Sequence, residues 1–147
     1  MKRLSVVALL ACSFALTACA TTSHVTSRQP GAELSLRNHQ VALPSSHRLR
    51  VTSFGNYAFK VVAADGEPFY GVLPLAFKGG HLAADILLFA PAAFFNVRGA
   101  YKYYEFDTGK GIVRFRDHPS DPWTEYAPKP EEVARARGYF ASRAFGK

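Results

Sequence analysis

The feature that most constrains the fold is an alternation of apolar and polar residues with a period of two, which starts after Gly31. In residues 32–37, AELSLR, the side chains of Ala32, Leu34 and Leu36 alternate with polar ones. Successive side chains of a strand point to opposite faces, so this pattern predicts a half-buried β-strand. The same alternation recurs in residues 48–51, 57–61 and 112–116, and the apolar or aromatic segments 69–73 and 101–106 are also predicted strands.

Two turn signals join four of these segments into hairpins. Asp65-Gly66 separates segments 57–61 and 69–73, and both residues tolerate a positive φ. A longer glycine-containing loop, Asp107–Gly111, separates segments 101–106 and 112–116. The predicted fold class is mainly β (α+β), with a small antiparallel sheet or sandwich of about six strands, a kinked apolar helix at about 81–95 and a C-terminal helix at about 130–145.

Residues 79–99 are the most apolar stretch outside the first twenty residues. A helix over residues 81–95 would be about 22 Å long, shorter than the ~30 Å hydrocarbon core of a bilayer. Pro91 would also kink it. Length and chemistry together therefore exclude a simple spanning helix. Two arrangements would bury the apolar side chains of this segment: it packs on the sheet, or it contacts the lipid leaflet or a partner protein.

The first eighteen residues have the organisation of a secretory signal peptide. Lys2 and Arg3 precede an apolar run, Leu4–Leu16, which is too short to cross a bilayer. The run ends in Leu16-Thr17-Ala18-Cys19, which resembles the lipobox of bacterial lipoproteins. The resemblance implies that residues 1–18 are removed and that Cys19 is the lipidation site, carrying diacylglycerol and an amide-linked acyl chain such as palmitate.

Three acyl chains would hold the protein in a membrane essentially permanently, since one chain alone binds marginally. Ala20 and Thr21 follow the cysteine, where an aspartate would resemble the inner-membrane retention signal. The resemblance therefore implies an outer-membrane lipoprotein, and we expect its domain on the periplasmic side.

The cysteines exclude several kinds of chemistry. Cys12 lies in the predicted leader, and Cys19 is used for lipid attachment. The mature chain of 129 residues then has no free thiol, hence no disulfide, cysteine nucleophile or thiolate metal site. We expect one small domain, 32–116, stabilised by packing, with residues 79–99 inserted in it.

Residues 19–31 comprise the lipidated cysteine and a polar stretch without apolar periodicity, which predicts a tether. The mature chain has 16 Lys+Arg and 11 Asp+Glu, a formal net charge of +5. In the cell envelope the acidic neighbours are lipid headgroups and lipopolysaccharide phosphates, and no nucleic acid is expected as a partner. A basic surface that only keeps the protein in solution would explain the excess of positive charge equally well.

A second resemblance covers roughly residues 30–70. Gln29-Pro30-Gly31-Ala32, the alternating residues 33–36 and Leu43-Pro44 look like the opening of a PEGA-type domain, a small β module of bacterial surface proteins. The adjacent Pro30 and Gly31 and the turn Asn38-His39, without glycine, depart from that pattern. This resemblance implies a β domain and no enzymatic activity.

Tyrosines crowd the segment 101–106. Alternation places Tyr101 and Tyr103 on one face and Tyr104 and Phe106 on the other. We expect one pair in the core and take Tyr101 and Tyr103 as the outward pair, because tyrosine suits a membrane interface or a sugar-binding face.

Residues 117–147 combine a proline-rich segment with a basic helix. Pro130 suits the first helical position, and Val133, Ala136, Phe140 and Ala144 form an apolar stripe. The rest of the helix surface is basic, and its candidate contacts to anionic lipid or lipopolysaccharide are Arg135, Arg137 and Arg143. A solvated helix that docks through its stripe is the simpler interpretation.

His81 and Asp85 lie four residues apart in the predicted apolar helix and form a candidate buried polar pair. A proton relay would need a third group and a substrate cleft, and the sequence indicates neither, so no residue is assigned a catalytic role. The histidines lack metal-ligand spacing, and we expect no metal and no other cofactor.

The predicted function is a non-enzymatic envelope lipoprotein with a structural or adaptor role, in contact with the membrane through its lipid anchor and with other envelope proteins. The alternative is a glycan- or lipid-binding module for lipopolysaccharide or peptidoglycan, which would use the outward tyrosines and the basic residues.

Overall fold

The computed structural model describes residues 20–37, 39–50, 56–64, 66–77 and 98–144. Within these ranges the chain forms eleven strands and one helix. Their bounds are β1 Ala20–Ser27, β2 Glu33–Leu36, β3 His39–Ala42, β4 Ser45–Arg50, β5 Ala58–Val62, β6 Phe69–Val72, β7 Leu75–Phe77, β8 Arg98–Ala100, β9 Tyr103–Asp107, β10 Ile112–Arg116, β11 Thr124–Tyr126 and α1 Pro130–Ala144.

The predicted mainly β fold class is confirmed. Each of the six predicted strand segments overlaps an observed strand, namely β2, β4, β5, β6, β9 and β10. The other five strands were not predicted, and the C-terminal helix was predicted to within one residue of its observed end. Its apolar stripe is also present, since Ala136 is fully buried and Val133 and Phe140 are half-buried.

The strands form two main sheets and one two-stranded sheet. The five-stranded sheet has the order β11-β10-β9-β1-β4, and the four-stranded sheet has the order β3-β2-β5-β6. The five-stranded sheet is mixed, because β1 runs parallel to β9 and antiparallel to β4. Strands β7 and β8 pair antiparallel, and β8 contacts β1 and β4.

The core lies between the inner faces of the two main sheets. Phe59 of β5 meets Phe106 of β9 edge to face, with ring centroids 4.9 Å apart. The alternation predicted the inward side chains correctly: Leu34, Phe59 and Val61 are fully buried. This packing leaves the outward side chains of both sheets available to build a surface site.

Both predicted hairpins are present. Strand β5 pairs with β6, and β9 pairs with β10 in register from Ile112 opposite Asp107. In the second hairpin, Gly111 has a φ of 66°, a left-handed conformation that favours glycine. Asp107 Oδ1 accepts a hydrogen bond of 3.1 Å from the Lys110 amide and closes the turn.

Helix α1 packs on the outer side of β5 and β6. It begins at Pro130, and Glu132 Oε2 accepts a hydrogen bond of 2.9 Å from the Lys129 amide, which satisfies one amide at the helix start. The Tyr126 hydroxyl also donates to Glu132 Oε2. Burial, and then this contact with Glu132, raise the pKa of Tyr126 to about 12.

The predicted polar tether is wrong over most of its length, because residues 20–27 form β1 inside the five-stranded sheet. The inward positions of this strand are Ser23 and Val25, both buried. The Ser23 hydroxyl donates a hydrogen bond of 2.6 Å to the Tyr101 carbonyl oxygen, so a small polar side chain is tolerated inside. The apolar alternation is therefore interrupted, although the segment is a strand.

Several predictions fall outside the described residues. These are the signal peptide, Cys19, the apolar helix at 81–95 and the pair His81 and Asp85. Among the described residues, no helix has both the length and the apolar character needed to cross a membrane.

Candidate functional site

The site is built around Arg37, which follows β2. Strands β2 and β3 pair from Leu36 opposite His39, so Arg37 lies in the tight turn between them. Its φ is 53°, in the left-handed region that non-glycine residues seldom adopt. The Arg37 guanidinium lies 4.3 Å from the centroid of the Tyr57 ring, and this cation–π contact places its charge at the molecular surface.

Strand β4 supplies the second wall. It is an edge strand of the five-stranded sheet, and its side chains alternate so that Leu49 is buried while Arg48 and Arg50 are exposed. The backbone of Arg50 is fixed from inside, because the buried Tyr57 hydroxyl donates a hydrogen bond of 2.6 Å to its carbonyl oxygen.

Helix α1 supplies the third wall through one of its faces. The side chains that reach the site are Arg135, Tyr139 and Arg143. The Arg143 guanidinium lies 4.5 Å from the centroid of the Tyr139 ring, a cation–π contact one turn away on the same helix.

These walls enclose two adjoining cavities of about 600 and 490 Å3. The larger lies between α1 and the four-stranded sheet, and the smaller lies along β4. Arg37 and His39 line both cavities and join them. We call the combined depression the basic groove, after the charged and titratable side chains that line it: Arg37, His39, His47, Arg48, Arg50, Arg135 and Arg143.

Within the part of the chain that the structure describes, no aspartate or glutamate lines either cavity, and none of the five groove arginines forms a salt bridge. The arginines elsewhere are different. Arg28 and Arg114 share the Glu105 carboxylate at 3.2 and 2.6 Å. Among the described residues, the groove therefore concentrates positive charge without a carboxylate partner, and such a surface attracts anions.

His47 adds a titratable group to the groove. Its Nε2 lies 2.9 Å from the Ser45 hydroxyl oxygen. Partial burial, and then the positive charge that His39 can carry, lower the pKa of His47 below its ordinary value of 6.5. His47 is therefore neutral at pH 7, and a bound anion would favour its protonation.

Of the predicted contact residues, Arg135 and Arg143 lie in the groove and Arg137 does not. The Arg137 guanidinium is instead 5.5 Å from the centroid of the Tyr70 ring on β6. The three arginines of the helix thus lie on two different surfaces, and only Arg135 and Arg143 line the groove.

The expected outward tyrosine pair does not form one surface. Tyr104 and Phe106 are fully buried, as one of the two pairs was expected to be. Tyr101 is half-buried and packs against the core, with its ring 4.4 Å from that of Phe115, so it is less exposed than an outward residue was expected to be, and its contact role stays a prediction. Tyr103 does face outward, where its ring stacks on His24 at 5.5 Å.

Sequence reasoning missed five residues of the groove: Arg37, His39, His47, Arg48 and Arg50. A signal was present for three of them, because the alternation already placed Arg37, Arg48 and Arg50 at outward positions. What it did not indicate is that the β2–β3 turn, β4 and α1 meet at one place.

No group of three or more histidine, cysteine, aspartate or glutamate side chains with metal-site geometry occurs among residues 20–37, 39–50, 56–64, 66–77 and 98–144. The comparisons with known proteins yield no relative: no family model matches the chain, and no curated protein or solved structure shows significant similarity to it. The PEGA-like and lipoprotein resemblances therefore stay predictions.

Proposed function

We propose that this protein is a non-enzymatic, lipid-anchored protein of the bacterial outer membrane that binds a phosphate-bearing envelope ligand, such as lipopolysaccharide, in the basic groove. The observation that supports this most is the composition of the groove: its described lining residues include five arginines and two histidines and no carboxylate.

Arginine suits this ligand class because its planar guanidinium donates parallel hydrogen bonds to two oxygens of a phosphate. The arginines project from three walls of the groove, so one phosphate can accept hydrogen bonds from the guanidinium groups of more than one wall. Tyr139 and Val72 line the same cavity and offer apolar surface beside the charges, which suits a ligand that carries sugar or acyl groups next to its phosphate.

A structural or adaptor role is the second candidate, and the edge of β3 favours it. Strand β3 is at the end of its sheet, and its residues His39, Gln40 and Ala42 are exposed. An edge strand presents unpaired backbone groups to which a strand of a partner protein can add.

Binding of lipopolysaccharide by a soluble form that starts at Ala20 tests the proposal. We expect binding that weakens steeply with salt and falls when the lipopolysaccharide is dephosphorylated. The double variant Arg135→Gln/Arg143→Gln removes two groove charges, and at about 1.5–3 kcal/mol for each charged hydrogen bond it should weaken binding at least tenfold.

The matched control is Lys110→Gln/Lys129→Gln, which removes the same net charge from exposed positions outside the groove. We expect it to bind nearly as well as the unaltered protein. Equal losses in both variants would refute a defined groove site. A protein that binds no envelope ligand but co-purifies with other envelope proteins would favour the adaptor role instead.

A further inference from the structure

The groove lies next to the point where the predicted lipid anchor joins the domain. Cys19 is the residue before Ala20, and Ala20 is the first residue of β1. Ala20 is the register partner of Arg50, and Thr22 is the register partner of Arg48. Two groove arginines are thus on the strand beside the first residues after the anchor.

The distances are short because no tether intervenes. Consecutive Cα atoms are about 3.8 Å apart, and partners in an antiparallel pair are about 4.5–5.5 Å apart. Ala20, which is covalently joined to the predicted lipidation site, is therefore about 4.5–5.5 Å from Arg50 between Cα atoms. Acyl chains on Cys19 enter the bilayer at its surface, so this end of β4 must be at the level of the lipid headgroups.

Charge differs between the two ends of β1. At the anchor end lie the groove arginines Arg48 and Arg50, which have no carboxylate partner among the described residues. At the other end, Ser27 pairs with Phe106, next to the carboxylates of Glu105 and Asp107. Arg28 contacts both carboxylates there, at 3.2 and 3.6 Å. An anionic surface attracts the first end and not the second, which gives the domain a preferred orientation.

From these observations we infer that the basic groove docks on anionic phospholipid headgroups of the same leaflet that holds the lipid on Cys19. This inference rests on the proposed function, and it names the ligand as the surrounding membrane surface. The anchor keeps headgroups at high local concentration beside the groove, so even weak contacts suffice to hold the domain against the leaflet.

Arginine footprinting of the full lipidated protein tests the inference without altering any residue. The protein is reconstituted into phosphatidylglycerol vesicles and into phosphatidylcholine vesicles and treated with an arginine-specific dicarbonyl reagent. Mass spectrometry then gives the modification rate at each arginine. In phosphatidylglycerol we expect the rates at Arg48 and Arg50 to fall at least fivefold relative to phosphatidylcholine. The rate at Arg28, at the far end of β1 and 46% exposed in its side chain, is the internal control and should stay within twofold.

Equal rates at Arg48 and Arg50 in the two vesicle types would overturn the inference, and so would equal protection of Arg28. A second footprinting experiment on the soluble form with inorganic phosphate distinguishes binding of a free anion from docking on a membrane. The phosphate concentration matches that of the vesicle headgroups. Protection of Arg48 and Arg50 under these conditions would show that the membrane is not required and would also overturn the inference. If the soluble form binds lipopolysaccharide but the lipidated form shows no protection, the proposed function stands and this inference fails.

Discussion

The hydroxyl of Tyr104 donates a hydrogen bond of 2.7 Å to the carbonyl oxygen of Pro74. The same oxygen of Tyr104 accepts a hydrogen bond of 3.0 Å from the amide of Tyr101. One fully buried phenol thereby connects β9 to the segment between β6 and β7 and fixes the bend before β9. Burial is the main reason why the pKa of Tyr104 is raised, so it stays a neutral donor at any physiological pH.

We predict that Tyr104→Phe lowers the free energy of unfolding by about 1–3 kcal/mol, because it leaves a partly buried carbonyl and a partly buried amide without their partner. Urea denaturation followed by circular dichroism measures this. The control is Tyr103→Phe: this tyrosine is half-exposed, and we expect a loss below about 0.5 kcal/mol. Equal losses in the two variants would contradict the structural role of the Tyr104 hydroxyl.

Two glycines should respond in opposite ways to alanine. A Cβ on Gly71 of β6 would lie 2.6 Å from Pro128 Cγ and 2.7 Å from Phe59 Cζ, both parts of rigid rings. We predict that Gly71→Ala costs about 1–3 kcal/mol of unfolding free energy. In Gly138→Ala the new methyl meets open space on exposed helix α1, and we expect a gain of up to about 1 kcal/mol. Thermal unfolding of the pair checks both signs, and a gain in Gly71→Ala would show that the segment around Pro128 does not pack on β6.

The sequence predicted strands in which apolar inward residues alternate with polar ones, and it missed β1, where one inward residue is polar. Leu34, Phe59 and Val61 make the alternation visible in β2 and β5. In β1 one inward position is Ser23, which is buried through a hydrogen bond to a residue 78 positions away. No local pattern reports such a partner, so β1 resembled a polar tether.

The groove could be predicted only in part for a similar reason. Periodicity marked Arg48 and Arg50 as outward residues, and the basic helix was anticipated with Arg135 and Arg143. Their convergence depends on two sheets and a helix that meet through long-range pairing. The left-handed conformation of Arg37 adds to this, because neither its charge nor its neighbours in the sequence indicate a positive φ.

His47 should make stability depend on pH. Its pKa is lowered in the folded state by burial and then by His39, so the unfolded chain takes up a proton more readily. We predict that the unfolding free energy is constant with respect to this group above pH 6.5 and falls as the pH decreases below that value, down to the lowered pKa of the folded state. Chemical denaturation at pH 8.0 and at pH values of about 5–6 measures the difference.

The variant His47→Gln should lose this part of the pH dependence. His118→Gln is the control, because His118 is exposed and lies outside the groove. A pH dependence that His47→Gln leaves intact would assign the effect to another group.

Arg37→Gly separates the stability of the turn from the charge of the groove. Glycine relieves a left-handed conformation that costs an ordinary residue about 1–2 kcal/mol, but it loses about 0.5–1 kcal/mol in chain entropy and the stacking on Tyr57. These effects nearly cancel, so we expect the unfolding free energy to change by less than about 1 kcal/mol while anion binding weakens severalfold. Arg37→Lys keeps the charge and the strain, and it should bind anions better than the glycine variant although it is no more stable. Denaturation and calorimetric titration with lipopolysaccharide on the three proteins test this, and a glycine variant that binds as tightly as the unaltered protein would remove Arg37 from the site.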